Sequence, residues 1–264
     1  MKKVKSVALI CAGNLTDSPL PRFRWLSDRL GPVKSPSFRL ASRVVNTLKA
    51  GQPVKNYADL DPCRLILVCV PDEMLPGVVA EMESAKISWR GKAVVLCSAW
   101  LDSGELHELA TRGASVGSIC TIPGFDERRY LIEGDKLAIR ESRRLVEHWE
   151  RRSVTIQRPL KPLFLSALTC TGTLLFAVLV AASESLRHAG VPASLSTAII
   201  EKQLGRSLRA YARGGRRAYP APRHLSRQLR ALASADPALA QFVEQGSLAA
   251  DQLVVARRRA VASG

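Results

Sequence analysis

The sequence is short of the residues that bind metal ions. It has six cysteines and four histidines, and none of them stands at a metal-ligand spacing such as C-x-x-C. A zinc site is therefore not expected. No histidine pairs with a serine, cysteine or aspartate at an informative spacing, so we interpret all four as surface residues. Unpaired cysteines within apolar stretches indicate reduced, mostly buried thiols and a cytoplasmic protein.

The sequence also lacks an uninterrupted hydrophobic run of the length that crosses a bilayer. Its longest apolar stretch, Ala167–Ala182, contains three threonines and a glycine, and it falls short of the ~20 residues that a span needs. We expect this stretch to form a buried central helix, and we expect neither a membrane partner nor a secretory signal.

Acidic residues are scarce at both ends of the chain. Residues 1–60 carry 11 Lys/Arg and 3 Asp/Glu, and residues 201–264 carry 12 and 4, so each end has a net charge of +8. Such ends bind phosphate, an acidic partner or nucleic acid, or simply form an arginine-rich surface. Because no nucleic-acid motif or array of stacking aromatics accompanies the charge, nucleic acid is not an expected partner.

Apolar runs that end at turn residues alternate with helical stretches in the first part of the chain. The predicted strands are Val4–Cys11, Val33–Ser35, Leu65–Val70, Ala93–Cys97, Val116–Cys120, Tyr130–Glu133 and Val154–Gln157. The predicted helices between them are Leu20–Leu30, Phe38–Lys49, Met74–Met82, Ser103–Arg112 and Leu137–Arg151. Continuous apolar strands alternating with helices are typical of a doubly wound α/β fold with a parallel sheet.

The strand pattern stops near Pro159, and only helical patterns follow. The predicted helices are Lys161–Ala189, Ser194–Ala212, Pro222–Ala233, Pro237–Gln245 and Leu248–Ala262. We therefore predict a Rossmann-like domain over residues 1–158 and an all-α domain over residues 159–264.

The turn after the first strand resembles a glycine-rich dinucleotide-binding motif that has lost two glycines. G-x-G-x-x-G would place glycines at positions 11, 13 and 16, but only Gly13 is present. If a dinucleotide binds, Gly13, Asn14 and Leu15 are its candidate contacts in this turn. Asp17 places a negative charge beside the phosphates, which counts against tight pyrophosphate binding.

The end of the second predicted strand has no acidic residue. A carboxylate at this place binds the ribose of NAD, whereas small and basic residues accommodate the 2′-phosphate of NADP. The sequence Lys34-Ser35-Pro36-Ser37-Phe38-Arg39 thus favours NADP, with Ser35, Ser37 and Arg39 near the 2′-phosphate. The alternative is a solvated basic loop.

An ordered set of motifs resembles the superfamily of Rossmann-domain dehydrogenases with an all-helical second domain, which includes pyrroline-5-carboxylate reductases and 6-phosphogluconate dehydrogenase. It is most similar to a bacterial branch whose helical domain has unknown function. The motifs are Leu67-Val68-Cys69-Val70-Pro71-Asp72, Gly91–Ala99, Gly117-Ser118, Ile132-Glu133-Gly134-Asp135 and Lys161-Pro162-Leu163-Phe164.

The resemblance implies roles for three residues at strand ends. Val70 and Pro71 would flank the nicotinamide ribose, and Ser98 would lie near the nicotinamide or the substrate. The alternative for all three is ordinary turn chemistry at the end of a strand.

The chain departs from the branch at polar positions. Where the branch has histidine, tyrosine, histidine and asparagine, this sequence has Thr121, Phe164, Leu165 and Thr173. A reductase needs a proton donor near the hydride acceptor, and Lys161 is the remaining candidate of the set. The alternative for Lys161 is a helix-start lysine whose ammonium group extends into solvent.

Two functions follow from these features. The first is an NADP-dependent oxidoreductase acting on an unknown small molecule, with Lys161 and Ser98 as candidate catalytic residues. The second is a non-catalytic dimeric binding or scaffolding protein that keeps the fold. In both, the resemblance and the apolar helix predict a homodimer centred on Leu174–Leu186, with the basic residues 206–230 at its rim.

Overall fold

The computed structural model describes residues 7–12, 29–122, 124–125, 128–220 and 222–256. Contacts between residues divide the chain after Leu168 into two compact units. This division lies inside a helix, ten residues beyond the boundary at residue 158 that the sequence predicts.

The first unit is built on an eight-stranded sheet with the order β3-β2-β1-β4-β5-β6-β7-β8. The strands are β1 (Val7–Cys11), β2 (Leu30–Lys34), β3 (Gln52–Val54), β4 (Leu65–Cys69), β5 (Ala93–Leu96), β6 (Ser115–Thr121), β7 (Arg129–Gly134) and β8 (Arg152–Thr155). All neighbouring pairs are parallel except β6 and β7. The strand order reverses between β1 and β4, so their carboxyl ends form the crevice where doubly wound folds bind ligands.

Helices cover both faces of this sheet. They are α1 (Phe38–Leu48), α2 (Leu75–Ser84), α3 (His107–Thr111) and α4 (Lys136–His148), and α5 (Lys161–Thr169) follows the last strand. Leu9 belongs to the apolar core on one face of the sheet, whereas Ile10 belongs to the core on the other. Because successive side chains of a strand point to opposite faces, burial on both faces requires the continuous apolar runs seen in the sequence.

The structure differs from the sequence prediction at two places in the first unit. The predicted helix Leu20–Leu30 lies mostly outside the described residues, and its last residue is instead the first residue of β2. Strand β3 was not predicted at all. It has only three residues, includes Pro53, and pairs in parallel with β2 at the edge of the sheet.

In the described part of residues 169–256, the second unit consists of helices joined by short turns. A π-helical turn (Cys170–Leu174) leads into α6 (Leu175–His188), which is followed by α7 (Ala193–Gly214), α8 (Leu225–Ala235) and α9 (Pro237–Asp251). The carboxylate of Asp236 accepts the Leu239 N–H and caps α9. The predicted break between residues 245 and 248 is wrong, because α9 continues through it.

The long helix Lys161–His188 is not buried within one chain, contrary to the expectation of a buried central helix. Phe176 is 68% exposed, and Leu174, Val178 and Val180 are each about half exposed. The helix has 28 residues and a mean hydropathy of 2.2 over its most apolar window, so its length and composition alone suffice to cross a membrane. Much of its apolar surface is therefore exposed among the described residues.

Candidate functional site

The carboxyl ends of β1 and β4 are held together by the backbone. The Ala12 N–H donates to the Cys69 carbonyl at 3.3 Å, which extends the pairing of the two strands by one bond. The candidate dinucleotide contacts Gly13, Asn14 and Leu15 follow Ala12 and lie outside the described residues. The part of the crevice that the structure describes therefore consists of the carboxyl ends of β1 and β4.

Ser35 joins β2 to β1. Its buried hydroxyl donates to the Cys11 carbonyl at 2.6 Å, and its carbonyl accepts the Lys34 ammonium at 2.7 Å. The Cys11 thiol lies 3.3 Å from the same hydroxyl, and burial raises the pKa of Cys11 to about 11. Since the Ser35 hydroxyl proton is already donated to the Cys11 carbonyl, it is not free to donate to a 2′-phosphate.

Ser37 begins α1 and leaves its hydroxyl proton available. Its side-chain oxygen accepts the Leu40 N–H at 3.2 Å, which caps the helix. The first turn of α1 holds no acidic residue, and Arg39 projects from it as an exposed side chain with no ion-pair or hydrogen-bond partner among the described residues. The positive end of the helix and this guanidinium thus lie together, uncompensated by a carboxylate.

Lys55 adds a second cation at this helix end, and sequence reasoning missed it. Its ammonium lies 5.5 Å from the ring centroid of Phe38, the first residue of α1. The pairing of β2 with β3 sets Lys34 opposite Val54, so the next residue emerges beside the end of β2. Because β3 was not predicted from the sequence, nothing in the pattern placed Lys55 here.

Ser98 and Asp72 connect the loops that follow β5 and β4. The Ser98 hydroxyl donates to the Asp72 carboxylate at 2.9 Å and accepts the N–H groups of Trp100 and Leu101 at 3.1 and 3.0 Å. A serine hydroxyl has one donor and two acceptor positions, so its hydrogen-bonding capacity is filled. Val70, which is buried, and Pro71, which is exposed, immediately precede Asp72 at the end of β4.

Lys161 is completely buried, with 0% of its surface exposed. Its ammonium donates to the carbonyls of Ser98 and Leu101 at 2.8 and 2.6 Å and to the Ser118 hydroxyl at 3.1 Å. The interpretation as a lysine extending into solvent is therefore wrong. All three N–H bonds are used to fasten the loop after β5 to β6, so the group has no proton directed at a ligand.

A buried carboxylate accompanies this ammonium group. Glu133, which pairs with Ser118 across β6 and β7, accepts the backbone N–H and the hydroxyl of Ser103 at 2.7 and 2.8 Å. Burial raises the pKa of Cys120; the positive charge of Lys161 lowers it, and the negative charge of Glu133 raises it, by smaller amounts. A single acid within an apolar strand was the signal in the sequence for this internal polar network.

The positions that depart from the dehydrogenase pattern supply little polar chemistry. Thr121 ends β6 and is half-buried, as are Phe164 and Leu165 in α5, while Thr173 is exposed. The described residues also include no group of three or more His, Cys, Asp or Glu side chains that could hold a metal ion.

Comparison with known proteins supports the architecture. No family model and no curated protein matches the sequence. Among solved structures, a Bacteroides fragilis protein provisionally assigned as an NADP oxidoreductase aligns with a TM-score of 0.67 at 16% identity, covering 96% of this chain and 99% of that one.

Two imine reductases align similarly. The Bacillus cereus enzyme aligns with a TM-score of 0.63 at 16% identity, and the alignment covers 98% of this chain and 94% of that enzyme. The Myxococcus stipitatus enzyme, in complex with NADP+, has a TM-score of 0.59 at 17% identity, with 98% and 95% covered. The chain therefore has the fold of NADP-dependent oxidoreductases, a doubly wound Rossmann-like α/β unit followed by an all-helical unit.

Proposed function

We propose that the chain binds NADP(H) at the crevice between β1 and β4 and serves as an NADP-dependent oxidoreductase for a small molecule with a C=O or C=N bond. The observation that carries the proposal is the acid-free start of α1, where Ser37 caps the helix, Arg39 lies in the first turn and the Lys55 ammonium packs on the Phe38 ring. When bound, the nicotinamide would supply or accept a hydride at the other side of the crevice.

The residues at α1 fit a 2′-phosphate. The Ser37 oxygen caps the helix as a hydrogen-bond acceptor, so the hydroxyl proton remains available to donate to a phosphate. The Arg39 guanidinium offers paired donors of the geometry that phosphate accepts, and Lys55 offers a compact charge. A carboxylate that would bind a bare ribose 2′-hydroxyl is missing from the segment 34–39.

Calorimetric titration with NADPH and NADH tests the binding proposal. We expect NADPH to bind more tightly, and Arg39→Gln and Lys55→Gln each to weaken NADPH about tenfold while leaving NADH unchanged, since each removes a charge-assisted contact. Arg43→Gln, an equal change of charge one turn farther along α1, is the control. Absence of binding of either nucleotide at millimolar concentration would contradict the proposal.

The second candidate is a non-catalytic dimeric binding or scaffolding protein. The side chains of the two candidate catalytic residues support it. The donors of Lys161 and Ser98 are already bonded to protein groups, so neither is available to a substrate. A panel of imines and ketones, assayed by NADPH oxidation, separates the candidates. Robust turnover of any member excludes the non-catalytic function, whereas tight NADPH binding without turnover supports it.

Under both candidates we propose a homodimer centred on Leu174–Leu186, with residues 206–230 at its rim. The exposed side chains of Leu174, Phe176, Val178 and Val180 support it, because fully burying a large apolar side chain contributes about 1.5–3 kcal/mol. Light scattering should give about twice the 28.8 kDa of one chain. Phe176→Arg should yield monomer, and monomeric wild-type protein at micromolar concentration would refute the dimer.

The proposed location is the cytoplasm. All six cysteines are free thiols, and five are buried, as expected for a protein kept in a reducing compartment. Purification without detergent tests this together with the alternative that the helix Lys161–His188 spans a membrane. A protein that is recovered only from the membrane fraction would contradict the cytoplasmic assignment.

A further inference from the structure

A long segment of the helical unit has no acidic residue. Between Glu201 and Asp236 the chain carries eight arginines and one lysine and no aspartate or glutamate. Arginine binds phosphate through paired, planar donors, whereas lysine acts as a hydrated point charge. The nearly exclusive use of arginine therefore indicates phosphate binding rather than a charged surface that only keeps the protein soluble.

Four of these arginines, Arg206, Arg209, Arg213 and Arg216, line one cavity. Arg206, Arg209 and Arg213 follow one another at spacings of three and four residues, so α7 presents them on one side. The cavity has a volume of about 760 Å³ and lies where the end of α7 meets the 3-10 turn Gly215–Ala218. This volume is in the range of pockets for small organic ligands.

The wall of the cavity combines charge with apolar surface. Tyr211, Tyr219 and Val254 line it together with the arginines. The Tyr219 hydroxyl donates to the Asp251 carboxylate at 2.9 Å, so its ring is anchored to α9. A ring and an aliphatic side chain beside guanidinium groups suit a ligand that has both phosphate and a flat or apolar part.

None of the described residues that line the cavity is acidic. Arg206, Arg209 and Arg213 have neither an ion-pair nor a hydrogen-bond partner within the part of the chain that the structure describes, unlike Arg187, which pairs with Glu184 on α6. The guanidinium of Arg209 lies along its own helix, 3.3 Å from the point where a Cβ at Gly205 would stand. Three unpaired guanidinium groups around one volume form a site for an anion with several negative charges.

We propose that this cavity binds a small organic phosphate. Arg206, Arg209 and Arg213 bind its phosphate groups, and Tyr211 and Tyr219 contact its ring or apolar part. The site is formed by the helical unit alone, so it is distinct from the proposed dinucleotide site at α1. It gives the protein a second ligand, a nucleoside diphosphate or a compound of similar size and charge.

Titration calorimetry with inorganic pyrophosphate and with ADP, in saturating NADPH, tests this site. We expect each probe to bind once per chain, and ADP to bind more tightly because its base adds a contact with tyrosine. The triple variant Arg206→Gln/Arg209→Gln/Arg213→Gln should weaken both probes at least 100-fold, since each charged contact contributes about tenfold.

The matched control is Arg223→Gln/Arg227→Gln/Arg230→Gln, which removes the same charge from the same acid-free segment outside the cavity lining. We expect it to weaken binding less than threefold at ~150 mM salt, where distant surface charges are screened. Circular dichroism and size exclusion should show that both triple variants fold as the wild type does. Tyr211→Leu should reduce the advantage of ADP over pyrophosphate.

Three results would overturn the proposal. They are no binding of either probe at millimolar concentration, equal losses in both triple variants, and displacement of ADP by a single-stranded oligonucleotide whose own binding both triple variants weaken equally. The last result would indicate an extended nucleic-acid surface. Weakened NADPH binding in Arg39→Gln with ADP binding intact would separate the two sites.

Discussion

Replacing Lys161 by methionine tests whether the buried ammonium group holds the site together. Methionine has a similar length and volume, so the substitution removes the charge and its three hydrogen bonds without opening a large cavity. The carbonyls of Ser98 and Leu101 and the hydroxyl of Ser118 then lose a donor inside the protein. We expect the first unit to lose stability.

Two opposing terms set the size of the loss. Hydrogen bonds to a charged group contribute about 1.5–3 kcal/mol each, which gives roughly 4.5–9 kcal/mol for three. Burying an ammonium group costs several kcal/mol, and the methionine variant avoids this cost. The net loss in the free energy of unfolding is therefore about 2–4 kcal/mol. The substitution destabilises the protein because it leaves buried carbonyls without a hydrogen-bond donor. Lys161→Ala should lose more, because it also leaves a cavity.

Tryptophan fluorescence during urea unfolding measures this loss for the first unit, because all four tryptophans precede residue 150. Lys136→Met is the control, since Lys136 begins α4 as Lys161 begins α5 but is exposed. We expect the control to change the free energy of unfolding by less than ~0.5 kcal/mol. If Lys161→Met loses less than about 1 kcal/mol, the ammonium does not hold the loop after β5 in place.

Three further measurements test local features of the fold. Gly134→Ala should cost more than ~3 kcal/mol or prevent folding, because its φ is +133° and a Cβ would collide with the Gly117 backbone, whereas Gly77→Ala in α2 meets open space and should be neutral or stabilising. Stability should fall as pH rises from 9 to about 11, because unfolded Cys11 loses its proton before folded Cys11 does, and Cys11→Ala should flatten this decline. A thiol reagent at pH 8 should label one cysteine rapidly, and Cys170→Ser should abolish that label; two or more fast thiols would contradict the burial of the other five.

The sequence predicted every strand of the described sheet except β3, and the prediction was clearest for the strands inside the sheet. β4 and β5 are buried on both faces, so their residues are apolar without interruption and the pattern is readable. β3 is exposed at the edge, and nothing in three residues that include a proline distinguishes it from a turn. The break expected in α9 was wrong because the helix continues through the exposed Gly246, and the packing of α9 against α8 outweighs the low helical propensity of one glycine.

The candidate site was predictable as a region but not as a set of side-chain roles. Ser35 and Ser37 stand two residues apart at the end of β2, yet one hydroxyl turns toward β1 and the other caps α1. Lys161 is 63 residues from Ser98, and only the folded chain shows that they are joined. Side-chain direction and long-range contacts are properties that spacing along a sequence does not encode.

The proposed dinucleotide binding and the proton delivery that a reductase needs would depend on different residues of this fold. The proposed binding half would rest on the ends of β1 and β2 and the start of α1, where no acidic residue accompanies Arg39 in the first helical turn. The proton-delivery half would rest on polar side chains near Ser98 and Lys161, whose donors are bound internally. One half can therefore persist while the other is lost, since substitutions such as those at Thr121 and Leu165 leave the start of α1 unchanged. For this reason NADPH affinity and NADPH oxidation must be measured separately, because neither result implies the other.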